Sequence, residues 1–356
     1  MNIPAPTASA PGASRYEKLD ALGSGATSTV YRARQIQINR VVALRELREV
    51  FEIFANVNRD DIVARFQNIA ETHASLDQPN ILPIIDIDIH AEFPFLVTMY
   101  APNGNLRRIT GVEGRPNLRT SLKYFLQILH AMKYAHDHGV LHGSLKPENV
   151  LLDPSGNARI TDFGMSRVAE LDASRANQVF VGVGAVAYMS PEQFRTPNIQ
   201  TVKSDIYALG IMFYELLVGK VPGRRSPMPS SFFPGIPRSI DDIFDRMCYD
   251  DEEGRYGDIG EILDDIYGTK EIMSLMDRKT GLLFTSDPLS DPQEESPEES
   301  DESVEFALEE SPAGTEAVDD DPTGEEASEQ DEESEAGESE GDVLAKLSKY
   351  GEMFDG

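Results

Sequence analysis

The chain has little cysteine, no long apolar run and no surplus of basic residues, and each lack removes a class of function. Cys248 is the single cysteine. Internal disulfides and cysteine metal clusters both need more than one thiol, so neither is available, and the composition suits a reducing compartment. The longest apolar stretch, 208–219, falls short of the roughly 20 residues that cross a bilayer and contains Glu215. Residues 1–14 are rich in Ala, Pro and Ser and lack the basic-then-apolar order of a signal peptide. A soluble, cytoplasmic protein is expected, with no membrane partner. Lys and Arg number 32 against 62 Asp and Glu, a net charge of −30. No basic patch offers a face to phosphate backbones, so no nucleic-acid partner is expected.

The acid is unevenly placed. Residues 286–356 hold 27 acidic and 2 basic side chains, a net of −25, which leaves −5 for the other 285 residues. Residues 1–15 read as a disordered leader and 16–268 as the folded domain, where apolar-periodic segments alternate with Gly, Pro and Asn. A transition over 269–285 leads into a self-repelling acidic tail, 286–341, with too few apolar residues to offset the entropy of ordering it. Serines among the acids, such as Ser296, Ser300, Ser334 and Ser339, are open to phosphorylation. The last segment, 342–356, differs. Asp342 can cap a short helix that places Val343, Leu344, Leu347 and Tyr350 on one stripe, Gly351 can end it, and Met353 and Phe354 follow. Val343–Phe354 is thus a candidate docking motif for a protein partner. Chance clustering of apolar residues is the alternative.

Within the domain, Val41–Leu44 reads as a short buried strand, and Ile81–Ile89 and Phe95–Tyr100 as further strands. Asp60–Leu76 has helical spacing, with Ile62, Phe66, Ile69 and His73 on one side. Leu118–His138 and Ser204–Gly219 read as long helices, the second apolar nearly all round and therefore buried. Early strands followed by later helices imply an α+β architecture in two lobes.

Several motifs follow one another in a fixed order. Leu22–Tyr31 is a glycine-rich turn carrying Gly23 and Gly25, where a backbone without Cβ can approach phosphates closely; Ser28 stands where a third glycine would complete it. Next come Val42-Ala43-Leu44-Arg45, then His142-Gly143-Ser144-Leu145-Lys146-Pro147-Glu148-Asn149, then Asp162-Phe163-Gly164, Ser190-Pro191-Glu192, Asp205–Gly210 and Arg255. In this order they resemble the Ser/Thr protein-kinase family, its soluble bacterial members most of all, over roughly Tyr16–Tyr267. The resemblance implies a two-lobed protein-kinase fold, with an antiparallel-sheet N-terminal lobe at 16–100 and a mainly helical C-terminal lobe at 101–268.

It also implies ATP and Mg²⁺ as cofactors, with Asn149 and Asp162 as metal ligands and Lys146 at the γ-phosphate. Val30 and Ala43 would line an adenine slot, Thr98 would be its small gatekeeper, and Met99–Ala101 the connector whose backbone meets adenine. Three positions depart from the family. Arg45 replaces the lysine that reaches the phosphates, Ile69 replaces the helix glutamate that pairs with it, and Ser144 replaces the catalytic aspartate. Gly143 further replaces an arginine that in many relatives grips a phosphate on the activation segment, and Ala185 replaces a bracing threonine. Between Asp162 and Glu192 the Ser/Thr hydroxyls are Ser166, Ser174 and Ser190.

A serine hydroxyl is no base near neutral pH, and a general base contributes about 10²–10⁴ in rate. Arg45 has two roles open, contact with nucleotide phosphates or filling of an altered cleft. With Ile69 opposite, it needs another counter-charge, from Asp162 or from Glu71, although Glu71 lies on a different helix face. A degenerate, inactive family member that binds nucleotide and regulates or scaffolds a partner is the favoured expectation. A divergent active Ser/Thr kinase is the alternative, and an empty cleft closed by Arg45 and Asp162 a third. Asp205 is expected to hold the catalytic-loop backbone, His142 and Phe163 to stack between the lobes, and Glu192 and Arg255 to form a buried ion pair.

Overall fold

The computed structural model describes residues 15–25, 27–53, 58–112, 115–168, 186–196, 199–223 and 225–276. Residues 1–14 of the leader, Ser174, Ala185, the acidic tail and the 342–356 motif lie outside them, while Arg15 is described and pairs with Asp86 at 2.7 Å.

The first lobe is a five-stranded antiparallel sheet in the order β1-β2-β3-β5-β4. Its strands are β1 (Tyr16–Ser24), β2 (Thr29–Gln35), β3 (Arg40–Glu46), β4 (Ile84–Asp88) and β5 (Phe95–Met99). Two helices, α1 (Arg48–Ile53) and α2 (Arg59–Ala74), are inserted between β3 and β4. Alternation along β3 sorts its side chains onto two faces. Val42 and Leu44 turn to one face, into a small buried cluster with Tyr16, Ala33 and Val97. Ala43 and Arg45 turn to the other face. There Val30 lies opposite Arg45 on β2, while Thr98 and Leu96 lie opposite Ala43 and Arg45 on β5. Pairing extends β3 beyond the expected Val41–Leu44, whereas β4 starts at Ile84 because Pro83 has no N–H for the ladder.

The second lobe is mainly helical. Its long members are α3 (Leu118–Asp137) and, after the short α4 (Pro191–Arg195), α5 (Val202–Val218). Asn117 starts α3 by accepting the Thr120 N–H at 2.8 Å. Thr201 and Ser204 form a capping box at the start of α5, and Gly219, with φ 84°, ends it in the left-handed region. Each such N-cap contributes about 1 kcal/mol. Phe125 and Phe213 stack face to face at 3.9 Å where α3 meets α5, within the main core. The helices α6 (Pro229–Phe232), α7 (Arg238–Met247), α8 (Ile259–Gly268) and α9 (Lys270–Ser274) complete the lobe. Helix α9 lies beyond the boundary at 268 expected from composition. Its Ile272 is fully buried, so the core reaches further along the chain.

A two-stranded hairpin of β6 (Val150–Leu152) and β7 (Ala158–Ile160) packs into the core of the second lobe. Its strand ends set Asn149 beside residues 161 and 162, where the Thr161 N–H donates to the Asn149 carbonyl at 2.9 Å. The segment leading into β4 clamps the hairpin, with the Leu82 N–H on the Ile160 carbonyl at 2.8 Å and the Ile160 N–H on the Asn80 carbonyl at 2.8 Å.

Candidate active site

The cleft lies between the β3 face that carries Arg45 and the loops that flank the β6–β7 hairpin. Arg45 is the cation in it. One guanidinium nitrogen sits 2.5 Å from Asp162 Oδ2 and the other donates to Ser28 Oγ at 2.8 Å. Among the described residues Asp162 is its only ion-pair partner. Of the two partners open to Arg45 the structure therefore selects Asp162. Glu71 faces elsewhere and accepts from Gln67 Nε2 at 2.8 Å.

Asp162 is buried and holds φ 69°, a left-handed backbone that Asp tolerates better than most residues. This turn aims the carboxylate back under β3. Its Oδ1 accepts the Thr161 hydroxyl at 3.3 Å. Ile69 sits on α2 next to Gly164. A Cβ on that glycine would lie 3.7 Å from Ile69 Cγ1. The helix thus meets the tripeptide through an apolar contact where the family has an ion pair. Ile69 itself is only partly buried; Ala70 joins Ile62, Phe66 and His73 on the buried side.

The catalytic loop is held in the expected way. Asp205 accepts the backbone N–H groups of His142 and Gly143, each at 2.9 Å, and its Oδ2 lies 2.9 Å from His136 Nε2. Burial alone would raise the Asp205 pKa, but these bonds and the two imidazoles hold it below the usual value. The Ser144 N–H donates to His142 Nδ1 at 3.3 Å, and the Ser144 carbonyl accepts from Asn149 Nδ2 at 2.9 Å. The loop is closed through the Ser144 backbone, with His142 on one side and Asn149 on the other. Carboxylates nearby are engaged elsewhere: Asp162 with Arg45, Asp205 with loop amides, and Glu148 with Arg107 at 2.9 Å.

Behind the loop a column of rings crosses the lobes. His142 and Phe163 lie 4.9 Å apart, and Phe163 and His73 5.3 Å. Burial lowers the His142 pKa and brings that of His73 down to about 4. Among the described residues the buried Nε2 of His73 has no hydrogen-bond partner. Lower down, Glu192 and Arg255 form a two-pronged pair at 2.7 and 2.8 Å, with the Arg255 side chain fully buried.

Four residues that sequence reading did not assign belong to this arrangement. Ser28, noted only as a missing glycine, supports Arg45. His73, noted only as part of a helix face, caps the ring column. Gln200 sits where a side chain at Gly143 would go, since a Cβ there would lie 2.3 Å from its Oε1; it accepts from Arg167 Nε at 2.9 Å. Arg107 ties Glu148 to Tyr188 Oη at 2.6 Å and to buried Glu215. Desolvation opposes its charge, yet these partners raise its pKa. A small residue facing a distant polar one, or an arginine amid carboxylates, is the only signal the sequence carries for the last two.

The remaining expected positions fall on the cleft or its rim. Gly23 ends the β1 side of the turn, and the Gly25 N–H donates to the Ser28 carbonyl at 2.9 Å. Thr98 is buried opposite Ala43, Met99 ends β5, Ala101 follows it, and Lys146 is half-buried in the catalytic loop. For a magnesium ion the oxygen donors are right in type, from Asn149 and Asp162. The fit is incomplete, because the Asp162 carboxylate already carries a guanidinium.

This is a two-lobed fold whose cleft is spanned by the Arg45–Asp162 ion pair. The family model for the protein kinase domain matches residues 16–257, so the chain belongs to the protein kinase family. Family members generally use ATP and Mg²⁺. The chain is 32% identical over 270 residues to the probable serine/threonine-protein kinase PknB of Lactococcus lactis, covering 71% of this chain and 42% of that protein. It is 32% identical over 257 residues to the serine/threonine-protein kinase PrkC of Bacillus subtilis, covering 68% and 38%. With PknB of Mycobacterium leprae it shares 29% over 272 residues, 71% and 42%. The matched region thus spans less than half the length of these relatives. Among the described residues no helix is long and apolar enough to cross a membrane.

Proposed function

We propose that this chain is a pseudokinase, a kinase-fold module that takes up nucleotide without appreciable phosphate transfer and regulates or scaffolds a protein partner. One observation carries the reading. Ser144 holds the position of the proton acceptor, and the nearby carboxylates are bound to other groups. The joint exchange at Arg45, Ile69 and Gly143 points the same way.

Nucleotide would enter between the Gly23–Gly25 turn and Lys146. Adenine would lie against Val30, Ala43 and Thr98 and meet the Met99–Ala101 backbone, with phosphates toward Arg45 and toward the Asn149–Asp162 end. A protein partner would engage the Val343–Phe354 motif, with the acidic tail as tether. Neither nucleic acid nor membrane is expected among its partners.

The retained Lys146, Asn149 and Asp162 support the second reading, a divergent active Ser/Thr kinase. Incubation of the purified full chain with labelled ATP, Mg²⁺ and protein substrates separates the two. The pseudokinase reading expects no incorporation above that of Asp162→Ala. Steady transfer that Asp162→Ala abolishes would establish the active kinase.

A further inference from the structure

Resting on the nucleotide uptake proposed above, we infer that Arg45 takes the place of the divalent cation, so that this chain binds nucleoside polyphosphate without metal and Mg²⁺ gives no gain. Three groups from three parts of the chain carry the inference: Ser28 of the glycine-rich turn, Arg45 of β3 and Asp162 after β7. They form one chain, at 2.8 Å and 2.5 Å.

A guanidinium is a rigid planar fork with five N–H donors, and it keeps its charge at any relevant pH. Here both prongs are held, and Ser28 and Asp162 are themselves buried. The fork is thus fixed at the end of the cleft where the turn faces the tripeptide. Magnesium demands near-ideal octahedral geometry at about 2.0–2.1 Å and sheds its water reluctantly. To take Asp162 as a ligand it must either sit beside a guanidinium on the same carboxylate or expel it. Coexistence sets like charges a few ångströms apart where water is scarce. Expulsion leaves Arg45 without the one carboxylate it pairs with among the described residues, and α2 presents the aliphatic Ile69, not a carboxylate, beside Gly164 of the same tripeptide. A helix carboxylate would have offered Arg45 a second partner and released Asp162 for metal.

The polyphosphate is the anion that solves this conflict. Arg45 can face phosphate oxygens with N–H groups beyond the two engaged, while Asp162 keeps it in place. Bidentate recognition of phosphate is what the guanidinium geometry favours. Arg45 and Lys146 of the catalytic loop then stand as the cations that face the phosphates in place of the metal.

Calorimetric titration of the full chain with ATP and with ADP, in EDTA and in excess Mg²⁺, tests this directly. Binding in EDTA at least as tight as in Mg²⁺ is expected. In Ile69→Glu, which offers Arg45 a carboxylate, Mg²⁺ should tighten ATP by about tenfold or more, equal to about 1.4 kcal/mol. Should that variant fail to fold, Arg45→Met serves instead, and it should lose metal-free binding by a similar factor. ATP binding by the unaltered chain that appears only with Mg²⁺, or about tenfold tighter with it, overturns the inference and leaves nucleotide uptake standing. Absence of binding in both buffers removes both.

Discussion

The upper cleft and the lower scaffold of this protein differ in how deeply their charged groups are buried and paired. In the scaffold, Asp205 still anchors the catalytic-loop amides, His142 still packs on Phe163, and Glu192 still grips Arg255. In the cleft, Arg45 pairs with Asp162 and Ser28, Ile69 lies beside Gly164, and Ser144 is bonded through its backbone to His142 and Asn149. The scaffold groups are buried, and each satisfies a partner that would otherwise be stranded. Removing one therefore strands its partner and costs several kcal/mol. The cleft groups are partly solvated, so exchanging them leaves the fold standing provided the remaining charge finds a new partner. Arg45 found two, Ser28 and Asp162.

This contrast can be broken or sharpened by substitution. The largest effect belongs to the scaffold. Arg255→Ala leaves Glu192 without its cation and should cost about 3–5 kcal/mol in urea unfolding. A loss no greater than that of a surface substitution would deny the scaffold its privileged status.

Next comes His73, whose buried Nε2 lacks a hydrogen-bond partner among the described residues. Its ordinary pKa of 6.5 falls to about 4 in the fold, chiefly through burial. Between those values the unfolded chain binds a proton that the folded chain refuses. Stability from this group is therefore complete above pH 6.5, falls as pH drops, and levels near pH 4. At pH 5 the loss is about 2 kcal/mol. His73→Leu should remove it, so the variant gains on the unaltered chain by that amount between pH 7 and pH 5. Parallel pH profiles for the two would refute the assignment.

The smallest effect belongs to the cleft. Ser28→Ala removes one hydrogen bond from the guanidinium and should change stability by about 1 kcal/mol or less. The same variant should weaken ATP binding in EDTA, since the fork loses one of its two holds. Unaltered affinity would show that Ser28 is a bystander.

Much of this was legible in the sequence because the scaffold motifs are local, ordered and chemically strict. Asp205, Glu192 with Arg255, and His142 with Phe163 took the expected roles. The cleft was legible as a set of losses, and Asp162 was one of two partners open to Arg45. What replaced the losses was less readable. Ser28 lies 17 positions from Arg45 in sequence. Its role follows from strand pairing, which sets Val30 against Arg45 and brings the residues before β2 over the same face. Gln200 and Gly143 meet only after α5 docks, and no local pattern joins them. Helix α9 escaped notice because five residues with one buried isoleucine give no periodicity to read.

The account turns on one relation, that the cleft cation is now held by Asp162 and not by α2. A double-mutant cycle with Arg45→Met and Asp162→Asn measures it, with unfolding free energy read for the four proteins. A coupling of about 1–3 kcal/mol is predicted. Additive losses would mean the two side chains do not hold each other, and the account would fail.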